Sequence, residues 1–248
     1  LVAALEARGE RDIVVVDRLG HDDKWRNLAK RGLADIIPPE VLGELIAVRR
    51  HDISAIFHMG AISSTSEHDV DLILANNWRL SKELWEMSSR FELRLIYASS
   101  AATYGNGEQG FTDDSSPGAL RKLRPMNLYG WSKHLFDQTL VERHVKNEKL
   151  PPRWVGLKFF NVYGPNEYHK GAMASVLAKV FERAKSGEPV RLFKSHRDGI
   201  ADGEQRRDFI YVEDAVAVLR WFLDRGTANG IFNVGTGKAE SFRDMITA

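Results

Sequence analysis

The chain has no cysteine among its 248 residues, which excludes disulfide staples, thiolate nucleophiles and thiolate-held metals and is consistent with a reducing compartment. It also lacks a dominant charge. Its 35 basic and 34 acidic residues leave a formal net charge of +1, so electrostatics give no reason to expect a nucleic-acid or membrane partner. Long apolar runs are missing too. Stretches such as Ile53 to Phe57 fall far short of the roughly 20 residues needed to span a bilayer. No basic segment followed by an apolar one opens the chain, so no signal peptide is read there. There is no internal repeat, low-complexity tract or interdomain linker. Both ends read as cut, because Leu1, Val2 and Leu5 already belong to an amphipathic helical pattern and Ala248 falls inside a helix expected from about Glu240.

What is present is an alternation of short β-branched or apolar runs with helical patterns. Ile13–Val16, Ala55–His58, Leu93–Ala98 and Val155–Phe160 read as strands, with helices around Pro39–Arg49, Asp71–Ser89 and Asn127–Lys146. Strands apolar on both faces and joined by helices predict a doubly wound parallel sheet. Beyond Pro165 the rhythm changes. A helix near Met173–Ser186 leads into a glycine- and charge-rich stretch, Ser195–Arg207, and then a strand at Arg207–Tyr211 and a helix at Val212–Leu223 are expected. The expected fold is therefore α/β, with a small lobe interleaved with the sheet domain. The sheet domain takes 1–165 and 208–234, and the lobe takes 166–207 and 235–248. The stretch from Asn106 to Arg124 is expected to be a surface loop.

Open parallel sheets bind ligands at the carboxyl ends of their strands, and the notable residues fall there. Asp17 closes a strand where a carboxylate can accept bonds from a dinucleotide ribose, although a turn aspartate is an equal alternative. Arg18, with Lys24 nearby, could instead neutralise a 2′-phosphate. Gly60 and Ala61 would let backbone approach a cofactor, and Ile62, Ser63, Ser64 and Thr65 add hydroxyls and amide donors. His58 reads as a packed core histidine. The central constellation is Ser100 with Tyr129 and Lys133. Tyrosine and lysine at i and i+4 share a helix face. A free phenol has a pKa of about 10, and a neighbouring ammonium favours the anion, which would make Tyr129 an acid/base for an alcohol or ketone. Ser100, at a strand end, can bond the same substrate oxygen.

These features resemble the extended short-chain dehydrogenase/reductase superfamily, whose fold is of Rossmann type. Asn161-Val162-Tyr163-Gly164-Pro165 and Arg207–Asp214 resemble its nucleotide-sugar segments. Ala98–Gly105, Asn127–Lys133, Gly60–Thr65, Phe232–Gly237 and above all His169-Lys170-Gly171-Ala172-Met173-Ala174-Ser175 are similar to the ADP-glyceromanno-heptose 6-epimerase family, over nearly the whole chain. The resemblance implies a glycine-rich phosphate loop ahead of Leu1 and a further part of the lobe after Ala248. It implies Ser100, Tyr129, Lys133 and Lys170 as the catalytic set, with Tyr129 and Lys170 as two acid/base groups. The implied cofactor contacts are Asp17, Arg18, Lys24, Met59, Gly60, Ala61, Ile62, Ser63, Asn76, Lys133, Val162 and Lys170. Ser100, Asn161, Ala172, Lys179, Phe193, Lys194, Ser195, His196 and Arg207 would line the sugar-nucleotide site. Arg207 suits a diphosphate, the alternative for it being an ion pair near Asp208. Lys170 without its motif would read as a surface lysine. The sequence departs from the family's pattern at Met59, at Ala172 and near Pro39, which puts individual contacts in doubt rather than the reaction type.

The resemblance further implies NADP, with NAD possible, no metal, an ADP-heptose substrate and a homo-oligomer. It implies the cytoplasm of a Gram-negative bacterium, with the product entering lipopolysaccharide core synthesis. Alternatives are another nucleotide-sugar epimerase, such as a UDP-hexose 4-epimerase, or a dinucleotide-binding regulator without catalysis. A dehydratase would carry acidic residues where Ala101 and Ala102 stand.

Overall fold

The computed structural model describes residues 1–196 and 198–247, so Arg197 and Ala248, which the expected lobe and terminal helix include, lie outside the described residues. The chain opens with helix α1 (Val2–Arg8), closed by Gly9 at φ 102°, a left-handed cap that glycine adopts without steric cost. Strand β1 (Val14–Val16) pairs in parallel with β2 (Asp35–Ile37). Helix α2 (Leu42–Arg49) then leads to β3 (Ile56–His58). The next helical stretch has three parts: α3 (Val70–Ile73), a π-helical turn (Leu74–Arg79) and α4 (Leu80–Phe91). It delivers β4 (Leu95–Ser100). Short α5 (Pro117–Leu120) and long α6 (Leu128–Val145) follow, and then β5 (Trp154–Phe159) and β6 (Asn161–Tyr163). The chain ends with α7 (Val176–Lys185), β7 (Arg206–Tyr211), α8 (Val212–Asp224), β8 (Gly230–Val234), β9 (Ala239–Ser241) and α9 (Phe242–Thr247).

The larger sheet runs β3-β4-β5-β8, and every pairing in it is parallel. Its inner strands carry the apolar runs expected of a sheet covered on both faces: Leu95, Ile96, Tyr97, Trp154, Val155 and Leu157 are all buried. One core lies under α4 and α6, around Trp85, Leu95, Tyr97, Phe136, Leu140 and Trp154. The other lies under α8, around Ile96, Leu157, Ala215, Leu219 and Phe222. The sheet is thus wound on both sides, as expected. Strand β1 faces β3 across an open cleft, and the two are not hydrogen-bonded to each other.

Two expectations need correction. The strand at 208–211 was grouped with the larger sheet, but β7 pairs with β6 in parallel and with β9 antiparallel, in a separate three-stranded sheet. Asp208 fixes that arrangement, its carboxylate accepting from the backbone N–H groups of Thr236 and Gly237 at 2.8 Å each. The stretch from Asn106 to Arg124 is not only a surface loop. It contains α5 and inserts Leu120 and Leu123 into the first core, while Phe111 stacks edge-on against Tyr104 with ring centroids 5.5 Å apart. Burying two leucines contributes about 3 kcal/mol or more, enough to order an otherwise polar segment.

Candidate active site

Tyr129 sits in the first turn of α6, which is capped by Asn127: its side-chain oxygen accepts from the Gly130 N–H at 2.8 Å. The next residue must be glycine. A Cβ on Gly130 would stand 2.7 Å from the Ala102 carbonyl oxygen, so its absence lets α6 press against the turn that follows β4. That contact brings Tyr129 beside Ser100, the last residue of β4, whose hydroxyl acts on the phenol. Lys133 lies one turn further along, buried, and its ammonium donates to the Ala98 carbonyl at 2.7 Å. The three expected central residues therefore meet at the carboxyl end of β4.

Their protonation differs from the expectation in one respect. Burial pushes the Tyr129 phenol above its ordinary value, the Ser100 bond opposes this, and Asp137 adds to the rise. The expected lowering by Lys133 is not among the influences on the phenol, and burial prevails. Burial pulls Lys133 itself down to about 8, against the opposing pull of Asp137. His58 is the packed histidine expected. It is buried, 2.7 Å from Ser81 Oγ, and pulled down to about 3 by burial and by the Lys133 charge, so it stays neutral.

The expected cofactor residues border the gap between β1 and β3. Asp17, Arg18, Lys24, Met59, Gly60, Ala61, Ile62 and Asn76 all line it, together with the apolar flanks of α1, α2 and both strands. A Cβ on Gly60 would meet nothing within 4 Å, so the backbone there is open to a ligand. Lys24 donates to Asp17 at 3.2 Å and to the Arg18 carbonyl at 2.9 Å, while Arg18 pairs with Glu40 and reaches Asn76 Oδ1 at 3.3 Å. Asp17 and Arg18, offered as alternatives for reading the ribose, are thus both present and both charge-balanced. Asp17 and Arg18 follow β1, and Gly60 and Ala61 lie just after β3, at the carboxyl ends where open parallel sheets take dinucleotides. Ser63, exposed, and Val162, in β6, do not line this gap.

Lys170 lies in a 3-10 turn, Tyr168–Met173, built around buried Glu167. That carboxylate accepts from the Gly164 N–H at 3.2 Å, from the Ser175 hydroxyl at 2.7 Å and N–H at 2.9 Å, and from Lys170 at 3.3 Å. Burial would raise Glu167, but these donors outweigh it and hold it below the ordinary carboxylate value. Gly171, at φ 50°, makes the reversal that glycine permits. Lys179, on α7, donates to the Ala172 carbonyl at 2.6 Å, so these two expected substrate residues meet at the same turn. Phe193, Lys194, Ser195 and His196 form an outer segment bonded to 202–205 and stacked on α9 through Phe193 and Phe242. Asn161 donates to the Asp208 carbonyl at 3.2 Å and Arg207 to that of Arg206 at 2.7 Å. Among the described residues Arg207 makes no ion pair, so the salt-bridge reading of it is not realised.

Sequence reasoning missed three polar residues that support this centre. Asn77, fully buried in the π-helical turn, accepts from the Ile62 N–H at 2.8 Å, donates to the Ile62 carbonyl at 2.9 Å, and reaches Ser132 Oγ at 3.0 Å. It thereby locks the loop after β3 to the Tyr129 helix. Asp137, also fully buried, accepts from Tyr97 at 2.9 Å and Ser99 at 2.7 Å and lies 3.4 Å from Lys158. Glu167 is the third. An asparagine doublet inside an apolar helix, and an aspartate four residues after Lys133 on a face otherwise packed into the core, were the available signals.

A doubly wound sheet with Ser100, Tyr129 and Lys133 together at the end of a central strand defines a nicotinamide-dependent enzyme class, and the chain belongs to it: residues 1–235 match the NAD dependent epimerase/dehydratase family. Within that class, the chain is 46% identical over 246 residues to ADP-L-glycero-D-manno-heptose-6-epimerase of Fusobacterium nucleatum, covering 98% of this chain and 73% of that one. Among solved structures it is similar to the Helicobacter pylori ADP-L-glycero-D-manno-heptose-6-epimerase, with TM-score 0.75 and 28% identity over 95% of this chain and 71% of that one. It is also similar to the Thermus thermophilus UDP-glucose 4-epimerase in complex with NAD, with TM-score 0.72 and 27% identity over 99% and 76% of the two chains.

Proposed function

We propose that this protein inverts C6 of ADP-glycero-manno-heptose, converting the D-glycero to the L-glycero form. The observation that carries the reading is the Ser100–Tyr129–Lys133 centre in a chain 46% identical to a heptose epimerase over 98% of its length. A bound nicotinamide ring would accept the C6 hydride and return it to the opposite face of the resulting ketone. The protein's part is to place and protonate the oxygen. Tyr129, beside Ser100, takes the proton of the C6 hydroxyl as its phenolate when the substrate enters in one orientation; the positive charges of Lys133 and of an oxidised nicotinamide would favour that phenolate against the upward pull of burial. Lys133 holds the ribose side of the cofactor and keeps a positive charge beside the phenol. Lys170, on its glutamate-anchored turn, serves the other orientation as the second proton donor and acceptor.

On this reading Asp17, Arg18, Lys24, Met59–Ser63, Asn76 and Val162 contact the cofactor. Asn161, Ala172, Lys179, Phe193–His196 and Arg207 hold the sugar nucleotide, with Arg207 on the diphosphate. The dinucleotide domain would be 1–165 with 208–234, and 166–207 with 235–248 the substrate lobe. Arg18 and Lys24 support NADP over NAD, and mass spectrometry of the ligand released from the purified protein distinguishes the two. The reaction would take place in the cytoplasm and supply lipopolysaccharide core heptose, and the enzyme would be a homo-oligomer. The deciding experiment offers ADP-D-glycero-D-manno-heptose and UDP-glucose separately and follows inversion by NMR. Epimerised ADP-heptose with unchanged UDP-glucose is expected, and the reverse outcome would overturn the assignment.

A further inference from the structure

Ser100 and Tyr129 both depend on one short turn. Its residues, Ala101–Tyr104, follow β4 directly, and Ser100 is its N-cap, the hydroxyl oxygen accepting from the Ala102 N–H at 3.1 Å. The same turn seats Tyr129, because the Ala102 carbonyl is what Gly130 presses against. A shift of this turn would move the serine hydroxyl and the phenol relative to each other. Thr103, which is fully buried, braces it. Its hydroxyl donates to the Ser100 carbonyl at 2.8 Å and accepts from the Lys158 ammonium at 2.8 Å. The directions are forced, since an ammonium only donates, a carbonyl only accepts, and the threonine has a single proton to give. Lys158 lies on β5, opposite Ser99 in register, and its counter-ion is Asp137 of α6, 3.4 Å away. One buried ammonium thus touches both the helix that carries Tyr129 and the turn that carries Ser100.

We propose that Thr103 is a positioning residue for the proton-handling pair, setting the Ser100 hydroxyl against Tyr129 through the Ser100 carbonyl and taking its own position from Lys158. Because Ala102 engages the Ser100 oxygen as an acceptor, the serine proton is left to turn toward the phenol or a substrate oxygen. Valine at position 103 keeps the shape and removes both bonds, whereas serine keeps the hydroxyl. The inference rests on the reading of Ser100 and Tyr129 as the residues that handle the proton.

The test compares Thr103→Val and Thr103→Ser with wild type. The first readout needs no substrate: tyrosine labelled at its phenolic carbon reports the ionisation of Tyr129 by NMR, the signal being assigned with Tyr129→Phe. Ser100 favours the phenolate, so a displaced hydroxyl moves the Tyr129 midpoint to higher pH, while Asp137 and Lys133 remain in place. A rise of about half a pH unit or more is expected in Thr103→Val, roughly threefold in the ionisation constant. The second readout is turnover of ADP-heptose, where kcat should fall about tenfold or more with KM within about twofold. Thr103→Ser should restore both. Should Thr103→Val not fold, Thr103→Cys gives the same directions, because a thiol is a weak donor and a weak acceptor.

A lowered urea midpoint with unchanged Tyr129 ionisation and unchanged kcat would make Thr103 a packing residue and overturns the proposal. A serine variant as impaired as the valine variant also overturns it, since the hydroxyl would then not be what matters. A wild-type protein that leaves ADP-heptose unchanged would refute the proposed substrate, while the Tyr129 titration would still decide the role of Thr103.

Discussion

Replacing Asp137 tests whether the polar network beneath the active site is as tightly closed as it looks. Its carboxylate is fully buried on α6 and has three partners: the hydroxyls of Tyr97 and Ser99 on β4, and the Lys158 ammonium on β5. Lys158 is buried as well. Its other contacts are Thr103 Oγ1 at 2.8 Å and the Tyr104 ring, 4.7 Å from its centroid. Asp137→Ala leaves a buried cation without its counter-ion, at a cost of about 3–5 kcal/mol. It also strips the acceptor from two buried hydroxyls, each worth roughly 1 kcal/mol or more. Water entering the vacated space offsets part of this, which puts the net loss at about 4–6 kcal/mol. That is a large fraction of the roughly 5–15 kcal/mol by which folded domains are stable.

Urea unfolding monitored by tryptophan fluorescence measures it, and a slope of about 2 kcal/mol per molar predicts a midpoint lower by about 2–3 M. A second variant separates charge from packing. Asp137→Leu combined with Lys158→Met removes both charges and should recover more than half of the loss, since an apolar pair of similar volume costs little. A single variant that loses less than about 1 kcal/mol, or a double variant no better than the single, would refute the reasoning.

Other outcomes follow from the site. Tyr129→Phe should cut ADP-heptose turnover by at least about a hundredfold and leave nucleotide-sugar affinity, measured by calorimetry, nearly unchanged; wild-type-like turnover would sink the assignment. Lys170→Met should slow net inversion strongly from both C6 epimers, read by deuteride exchange and NMR on each epimer separately, and normal rates from both would make Lys170 a bystander. Lys133 makes stability depend on pH. Its folded value of about 8 lies below the ordinary 10.5, so between those pH values the unfolded chain holds a proton that the folded chain has released. Stability therefore rises with pH across that window, by at most about 3 kcal/mol from this group. Urea midpoints at pH 7, 8.5 and 10 should show the slope in wild type relative to Lys133→Met, and parallel curves would refute it.

The parts of the molecule that could be read from sequence share a physical property. The strands at 95–100 and 154–159 are buried by neighbours on both faces, so each needs a local run of apolar residues, and those at 14–16 and 56–58, though half-buried, open on unbroken β-branched or aromatic residues; such runs are visible in a short window. Tyr129 and Lys133 are one helical turn apart, so their shared face follows from spacing alone. Strands β2, β6 and β9 were not legible because each is three residues long and largely exposed or half-buried, which leaves little pattern to detect. The stretch from Asn106 to Arg124 misled because its composition is polar, while the two leucines that anchor it find their partners elsewhere in the chain.

The supporting polar residues were hidden for a different reason. Asn27 meets His169 across 142 positions, Asp137 meets Ser99 across 38, and Asn77 meets Ser132 across 55. Beyond the asparagine doublet at 76–77 and the core-facing spacing of Asp137, nothing in their neighbourhoods distinguishes them from solvated surface residues, because each partner is set by topology. Yet these residues decide where the legible chemistry stands: Asn77 fixes the loop after β3 against α6, Asp137 fixes α6 against β4 and β5, and Asn27 ties the Lys170 turn to the segment after β1. The reacting groups can be recognised from their types and spacing, but the distances between them are maintained by amides and carboxylates that become recognisable only once the strands have been ordered. A change at one of these supports should therefore alter rates without touching any residue that sequence alone would have named.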